Sequence, residues 1–468
     1  MKLTRSELNF LFFLNTTDSG NMERAAKMLG EDWRFVWQEK CWRHYNGKVW
    51  EKVSELALIK PVITCFRYLR ALKFTENEKK QNPAIEGIKK FLLSSENSNR
   101  LTGAIKLLRS ELSADIETFD VKENLFNMND CTLDLKTGET HEHCRDDYLT
   151  QISPANFAGG ETGDLWLKTI TEVLPDEPTR RYFQKYCGYC LSGSTEAEKF
   201  IVLYGSGGGG KGTVMETIAA CLGKDYSITL SVNALLAGQR INGGSEHNSE
   251  IAKLKGKRLV LSSETSKGCR FDDATIKLLT GGDTVTGRMP HGLPFDYKPQ
   301  FKLTIQTNFT PAIEDIYDKG MKRRLVIIPF DGTITQRNLH LKKELLQQKE
   351  LDACFQWLYE GWELYQKEGL PDYDSIDFPA KMKAVMTDFY QQNDTFSDFI
   401  HECFYVEKDA SVRANTAFDI YKRWSSGDRS QVGRKKFYAE LRKRGFPKVH
   451  RKDADYIEGL AENSCVKV

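Results

Sequence analysis

The chain has 468 residues, of which 40% are hydrophobic and 28% charged, and its formal net charge is +2. This length and composition indicate two to four domains with apolar cores. No apolar stretch approaches the ~20 residues of a membrane span, and the polar start lacks a secretory segment, so the sequence predicts a cytoplasmic protein without a membrane partner. Eleven scattered cysteines favour reduced thiols over a disulfide framework.

Residues 1–160 predict an α+β N-terminal domain. The patterns favour helices at residues 21–29, 62–74 and 85–93. Aromatic-rich runs on both sides of Asn46-Gly47 predict a hairpin with this dipeptide as a two-residue turn. Short paired strands are expected within residues 125–135, and a glycine-rich linker at 158–163.

Residues 165–335 predict an α/β core. Short apolar runs alternate with helical or irregular segments, at residues 200–204, 258–262, 301–306 and 324–329. This pattern is typical of a parallel central sheet with both faces covered, whose site lies at the carboxyl ends of the strands. Cys187 and Cys190 have helical spacing among aromatic residues, and we interpret them as core thiols.

The sequence GSGGGGKGT lies between the first of these apolar runs and a helical segment. Glycines allow backbone N–H groups to wrap a polyphosphate closely, and Lys211 supplies a charge for the β- and γ-phosphates, so ATP and Mg²⁺ are expected to bind. A flexible glycine-rich linker is the less favoured alternative. Gly212 stands where a magnesium-binding hydroxyl is usual, and Thr213 is the nearest substitute. The candidate nucleotide-binding residues are Gly205, Ser206, Gly207, Gly208, Gly209, Gly210, Lys211, Gly212 and Thr213.

Two polar residues follow later strands. Glu264 comes directly after the apolar run 258–262 and Ser263. Its carboxylate suits the activation of water and, with Thr213, the binding of magnesium; a surface glutamate is the alternative. Asn308 follows the next strand, where its amide suits contact with the γ-phosphate, although a turn residue before Pro311 is an equally natural interpretation.

Basic residues mark two further places in this region. Residues 277–297 predict a hairpin that carries Arg288 and His291 near its tip, where basic side chains serve either phosphate contact or solubility. Arg323 and Arg324 precede the last strand. They suit either transition-state stabilisation in a neighbouring subunit or a solvated rim.

The end of the chain predicts a helical connector at 336–400 and a winged-helix module at 401–468. The connector is expected to contain helices at 339–368 and 380–392. Residues 411–468 carry 14 Lys and Arg against 7 Asp and Glu, with amphipathic helices at 416–424 and 434–444 and a two-stranded wing at 445–457. The candidate contacts to DNA phosphates are Arg434, Lys435, Lys436 and Arg442. A protein-binding or ring-packing module with a solvated basic face is the alternative.

These motifs occur in an order that resembles superfamily 3 helicases, and more closely the phage and plasmid primase-helicases related to the poxvirus primase-helicase. They are the glycine loop, Ser263-Glu264, residues 279–283, residues 307–311 and residues 322–324; residues 125–138 are similar to the segment upstream of that family's helicase core. The resemblance implies an AAA+-like P-loop ATPase that forms a hexameric ring with ATP between subunits. It also implies that Arg288 and His291 grip single-stranded DNA, that Asn308 is sensor 1, and that Arg323 or Arg324 is the arginine finger.

The function that the resemblance implies is ATP-dependent unwinding of single-stranded and forked DNA during replication of a phage, plasmid or other mobile element. The protein would act in the cytoplasm of the host cell. Family members often carry a primase domain ahead of this region, whereas Met1 falls near the region's start, so a separate primase or polymerase is an expected partner. The alternatives are an origin-binding or scaffold ring without productive unwinding, a P-loop DNA packaging motor, or a nucleotide kinase.

Overall fold

The computed structural model describes residues 3–157, 163–237, 249–263, 269–288, 293–313, 315–332, 338–426 and 432–463. Glu264, His291 and most of the predicted linker at 158–163 lie outside these residues. In the described part of the chain, no helix is both long and apolar enough to cross a membrane.

The N-terminal region packs helices against a small sheet. Its helices are α1 (Arg5–Phe12), α2 (Asp18–Leu29), α3 (Leu56–Arg70), α4 (Glu76–Gln81), α5 (Ala84–Ser94) and α6 (Ser98–Glu111). Its strands are β1 (Trp33–Val36), β2 (Cys41–Tyr45), β3 (Trp50–Val53) and β4 (Ser113–Ala114), in the order β3-β2-β1-β4. Thr4 and Glu7 form the capping box that begins α1. The apolar helix faces share one core cluster with Trp33 and Trp42.

Two local predictions in this region are displaced. Helix α3 begins at Leu56 and continues through Pro61, because the burial of Leu58 and Val62 offsets the hydrogen bond that proline removes. In the hairpin, the backbone N–H of Asn46 donates to the Val49 carbonyl at 3.0 Å, so the turn residues are Gly47 and Lys48 rather than Asn46 and Gly47. Gly47 has a φ of 98°, which glycine adopts without strain.

Residues 113–157 share their core with the central region, not with the N-terminal helices. They contain the predicted paired strands, β5 (Leu125–Asn127) and β6 (Thr132–Asp134), with β7 (Thr140–His141) on the far side of β6. Phe126 stacks on Tyr226 with ring centroids 4.4 Å apart. The Trp362 indole donates to the Leu135 carbonyl at 2.8 Å. The N-terminal cluster therefore ends at Leu112, whereas the predicted boundary is at 160, and Val36 and Trp50 of the N-terminal sheet also belong to the central cluster.

The central region contains the predicted parallel sheet, and its existence is confirmed. The strands are β8 (Phe200–Tyr204), β9 (Ser227–Thr229), β10 (Leu259–Ser263), β13 (Lys302–Thr307) and β14 (Leu325–Pro329). They pair in the order β14-β8-β13-β10-β9, with every neighbouring pair parallel. Strands β8, β10, β13 and β14 are largely buried, as expected for a parallel sheet between helices, whereas the edge strand β9 is partly exposed. The associated elements are α7 (Leu165–Val173), α8 (Glu177–Tyr189), α9 (Lys211–Tyr226), α10 (Asp273–Thr280), α11 (Lys319–Arg324) and the antiparallel pair β11 (Val285–Arg288) and β12 (Pro294–Tyr297).

The predicted helical connector is part of the central core. It contains α12 (Leu341–Leu345), α13 (Gln348–Glu368) and α14 (Ala380–Gln392). One predicted helix at 339–368 is therefore two, because the backbone is extended at Gln347. Helices α13 and α8 approach closely: a Cβ on Gly188 would collide with the backbone of Gly361 and Trp362. The buried thiols of Cys187 and Cys190 lie in the same core, which confirms their interpretation.

The C-terminal region has a separate core. It runs α15 (Thr395–Cys403), β15 (Phe404–Arg413), α16 (Ala414–Trp424), α17 (Arg434–Lys443), β16 (Lys448–His450) and β17 (Asp455–Glu462). The two predicted helices and the pairing of the predicted wing strands are observed. Together with β15, these two strands form a three-stranded antiparallel sheet in the order β15-β17-β16. Phe437 and Leu441 bury the apolar side of α17.

Candidate nucleotide-binding site

The glycine loop lies at the carboxyl edge of the sheet, between β8 and α9. Gly208 and Gly210 have φ angles of 88° and 81°, a backbone conformation that glycine adopts without strain. Gly205 is required for a different reason, since a Cβ there would collide with the carbonyl oxygen of Phe330 beyond the end of β14. The loop is therefore fixed both by its own backbone and by contact with the neighbouring strand.

Lys211 points back into the loop and is only 9% exposed. Its Nζ donates to the carbonyl oxygens of Gly205 at 2.6 Å and Ser206 at 3.1 Å, and to Asn308 Oδ1 at 3.1 Å. Burial lowers the pKa of Lys211. The ammonium is thus held among neutral oxygens at the first residue of α9, where a helix N-terminus also favours an anion.

Asn308 reaches this position because β13 lies directly beside β8, with Thr307 in register with Tyr204. The Thr307 hydroxyl donates to the Phe309 carbonyl at 2.7 Å and accepts from the Phe309 N–H at 2.9 Å, which fixes the turn around Asn308. Asn308 therefore lies in a turn beside the loop, and its amide oxygen accepts from Lys211. Its contact with the γ-phosphate stays a prediction.

A cavity of about 660 Å³ opens over the loop. Its lining consists of Gly207, Gly208, Gly209, Gly210, Lys211, Gly212, Thr213, Ser263, Gln306, Thr307, Asn308, Phe309 and Lys342. Ser263 ends β10 at the same edge of the sheet, and the next residue is Glu264, which lies outside the described residues. Ser263 belongs to the Ser263-Glu264 motif of the sequence, whereas Lys342 had no motif that would mark it.

The side-chain oxygens that line this cavity determine how a magnesium ion could bind there. Gly212 lines the cavity without a hydroxyl, and the neighbouring Thr213 lines it with one. Mg²⁺ prefers oxygen ligands and keeps several waters, so the hydroxyls of Thr213 and Ser263 fit a nucleotide-bound ion that takes few protein ligands. Among the described residues, no group of three or more His, Cys, Asp or Glu side chains is arranged to hold a metal ion.

Arg323 and Arg324 lie at the opposite, amino edge of the sheet and differ sharply in exposure. The Arg324 side chain is 7% exposed and donates to Thr280 Oγ1 at 3.2 Å and to the Gly320 carbonyl at 2.9 Å. The Arg323 side chain is 56% exposed. Both guanidinium groups pair with the carboxylate of Glu198.

The predicted hairpin is present as β11 and β12, with Arg288 opposite Pro294 at the end of the described strands. Arg288 is exposed. Gly287, the residue before Arg288, packs closely on the core, since a Cβ there would approach the Ala252 Cα at 2.8 Å. His291 lies outside the described residues, so its position stays a prediction.

The basic run of the C-terminal region separates into two groups. Arg434, Lys435, Lys436 and Arg442 are exposed on α17. The guanidinium of Arg434 also lies 5.1 Å from the Phe418 ring centroid. Lys443 instead pairs with Asp315 of the central region, and Arg444 pairs with Asp394 and lies 4.7 Å from the Tyr317 ring centroid.

Strand β8, the glycine loop and helix α9, with Asn308 directly after the adjacent parallel strand β13, define a strand–loop–helix unit within a mixed α/β fold. Residues 22–175 match the family described as D5 N terminal like, and residues 203–324 match a family of unknown function.

The chain is also similar to viral proteins. It is 24% identical over 440 residues to "Putative helicase L207/L206" of Acanthamoeba polyphaga mimivirus, covering 85% of this chain and 44% of that protein. It is 25% identical over 295 residues to "Putative helicase 022R" of Frog virus 3, covering 59% and 29%. It is 23% identical over 307 residues to "Putative primase C962R" of African swine fever virus, covering 61% and 31%.

The chain thus spans less than half the length of each of these relatives. Among solved structures, the apo structure of the NrS-1 C terminal region is similar with a TM-score of 0.43 and 10% identity, covering 69% of this chain and 88% of that one. The family match and the viral relatives confirm the resemblance to primase-helicase proteins.

Proposed function

We propose that this chain is an ATP-dependent DNA helicase that forms a ring and translocates on single-stranded DNA during replication of a viral or other mobile genome. The observation that carries the proposal is the position of Lys211, buried in a glycine loop and bonded to Asn308 of the adjacent strand. The names of the viral relatives support a role in DNA replication.

The proposed ATP site uses groups already near the loop. Lys211 exchanges its carbonyl partners for the β- and γ-phosphates, and the Asn308 amide, 3.1 Å from Lys211, contacts the γ-phosphate. Thr213 and Glu264 would hold Mg²⁺, which neutralises charge that develops on the phosphates. Glu264, one residue beyond the cavity-lining Ser263, orients the attacking water.

The arginine pair supports a site shared between subunits. Pro329 is in register with Tyr204, beside the loop, whereas Leu325 pairs with Phe200 at the other end of β8. At ~3.3 Å per residue, the strand separates the start of β14 from the loop by roughly 13 Å. Arg323 therefore lies at the end of the sheet away from its own proposed ATP site and, being exposed, suits the site of a neighbouring subunit in a hexameric ring.

Two elements are proposed to bind DNA. Arg288 and His291 of the β11–β12 hairpin face the channel and contact the backbone of the translocated strand. The C-terminal region has the helix-strand-helix-helix-strand-strand order expected for a winged helix, and α17 presents Arg434, Lys435, Lys436 and Arg442 to duplex phosphates at the fork. A separate primase or polymerase completes the replication machinery.

The test is DNA-stimulated ATP hydrolysis and strand displacement on a forked substrate. We expect the Lys211→Ala variant to lose both activities while its unfolding temperature stays near that of the wild type. Unwinding by this variant would overturn the proposal. Wild-type protein that binds ATP and DNA but shows no turnover would instead be a scaffold or origin-binding ring, a reading that the missing hydroxyl at Gly212 favours. Translocation on duplex DNA without strand separation would indicate a packaging motor.

A further inference from the structure

Among the described residues, two lysines line the cavity over the glycine loop, and they differ in burial and in their partners. Lys211 belongs to the loop and is buried among its carbonyls. Lys342 comes from α12, outside the parallel sheet, and also lines the cavity. Its side chain is 59% exposed.

Lys342 is held at this position by Glu216, on the second turn of α9. Its Nζ lies 2.8 Å and 2.7 Å from the two carboxylate oxygens. The same carboxylate lies beside the loop: a Cβ built on Gly212 would meet only Glu216 Oε1, at 3.8 Å. Lys342 therefore lines the cavity where a triphosphate is proposed to bind, and the Glu216 carboxylate adjoins Gly212 of the same lining.

The weakness of this ion pair allows Lys342 to exchange Glu216 for another anion. Both side chains are 59% exposed, and an exposed pair of this kind contributes little net free energy in water. A triphosphate in the cavity offers Lys342 several charged oxygens, and an ammonium binds phosphate as a point charge without strict geometry. The same phosphates repel the Glu216 carboxylate, so their arrival weakens the pair from both sides.

We propose that Lys342 is a second cationic contact for the triphosphate, and that it exchanges Glu216 for phosphate oxygens when the nucleotide binds. The proposal rests on the proposed function, because it takes the same cavity to be the ATP site. Glu216 then keeps Lys342 beside the cavity before ATP arrives and competes with ATP for it.

The experiment is equilibrium binding of a fluorescent ATP analogue to full-length protein, with Lys342→Ala and Glu216→Gln compared. Both substitutions break the same ion pair. We expect Lys342→Ala to weaken binding about tenfold, the scale of one lost hydrogen bond to a charged group. Glu216→Gln should bind as tightly as the wild type or more tightly, because it removes only the competitor. Equal weakening by both variants would show that the pair is merely structural and overturn the proposal.

Two controls complete the design. Lys342→Arg keeps the charge and should bind within about threefold of the wild type. Lys343→Ala removes the adjacent exposed lysine, which does not line the cavity, and should leave binding unchanged. If Lys342→Ala binds like the wild type while Lys211→Ala loses binding, the role of Lys342 is wrong and the ATP site stands. If Lys211→Ala also binds like the wild type, the ATP site itself is wrong.

Discussion

The guanidinium of Arg324 lies 2.9 Å from the carboxylate of Glu198, and Arg323 reaches the same carboxylate from a far more exposed position. Burial lowers the pKa of Arg324, and Thr280 and Gly320 occupy its other nitrogens. The guanidinium of Arg324 therefore makes its contacts within its own subunit. Arg323 is the member of the pair that suits contact with a neighbouring ATP site.

This difference predicts separate effects of substitution. Arg323→Ala should leave the unfolding free energy within about 0.5 kcal/mol of the wild type, because the side chain is exposed, but should abolish DNA-stimulated ATP hydrolysis. Arg324→Ala should lower the unfolding free energy by about 2 kcal/mol, since it removes buried hydrogen bonds. Urea unfolding and ATPase rates measure the two effects.

A mixing experiment tests whether Arg323 acts between subunits. Lys211→Ala and Arg323→Ala subunits should each be inactive alone. Mixed rings contain some interfaces with an intact Lys211 on one side and an intact Arg323 on the other, so ATP hydrolysis should reappear. Failure to recover activity in demonstrably mixed rings would argue against an arginine shared between subunits.

Substitution by a residue with a side chain should have different effects at Gly205 and at Gly212. Gly205→Ala should destabilise the protein by about 1–3 kcal/mol and weaken ATP binding, because the added methyl collides with Phe330. Gly212→Ser should fold normally, since only Glu216 lies near, and should raise magnesium-dependent ATPase activity by restoring the usual hydroxyl. Thermal unfolding and magnesium titrations of the ATPase rate check both expectations, and unchanged magnesium dependence in Gly212→Ser would indicate that Thr213 already suffices.

The sequence predicted the loop and its two flanking elements well, because the apolar run and the glycines are both local signals. The strands β10, β13 and β14 each begin one residue later than predicted, and their parallel pairing is confirmed. The distinction between Arg323 and Arg324 was not predictable, since it depends on Thr280 and Glu198, which are distant in sequence. The contact of Lys342 with Glu216 likewise joins residues 126 positions apart.

Long-range packing also explains the domain boundaries. Residues 113–157 looked like the end of an N-terminal domain because their short strands are local. Their apolar side chains instead meet partners that follow much later, such as Phe126 on Tyr226. Helix α13 is amphipathic and could have connected two domains, but Gly361 and Gly188 let it pack tightly on α8. These pairs join residues that are far apart in sequence, so local patterns do not indicate them.

The burial of Lys302 should make the stability of the protein depend on pH. Its side chain is buried, its Nζ donates to the Ser192 carbonyl at 2.5 Å, and burial lowers its pKa to about 7. In the unfolded chain, lysine has a pKa of about 10.4, so between pH 7 and that value the unfolded chain binds more protons. Stability should therefore rise with pH above 7, with a slope of up to about 1.4 kcal/mol per pH unit from this group.

Urea unfolding between pH 7 and 8.5 measures this slope. Lys302→Met removes the titrating group and should flatten the profile, whereas Lys298→Met, at an exposed position on the same segment, should leave it unchanged. The window ends at pH 8.5 because burial raises the pKa of Cys190 to about 12, and such thiols lower stability as pH rises further. An identical slope in Lys302→Met would exclude Lys302 as the source.

The C-terminal region predicts how DNA affinity should depend on salt. Lys435 and Arg442 are exposed on α17, whereas Lys443 and Arg444 are engaged with Asp315 and Asp394. Replacing both Lys435 and Arg442 by alanine should weaken duplex binding similarly for unrelated sequences and reduce the salt slope of log K by about 2, one for each lost phosphate contact. Fluorescence anisotropy at several salt concentrations measures this slope.

A charge-matched control separates phosphate contact from the general loss of positive charge. Lys90 and Lys367 lie exposed on α5 and α13, outside the C-terminal region, so their double alanine variant has the same net charge as the Lys435 and Arg442 variant. Its salt slope of log K should match that of the wild type, because salt screens charges that lie more than a Debye length from the DNA, which is ~10 Å at 0.1 M salt. If both double variants lose the same slope, α17 makes no specific phosphate contacts and its basic face is a solvated surface.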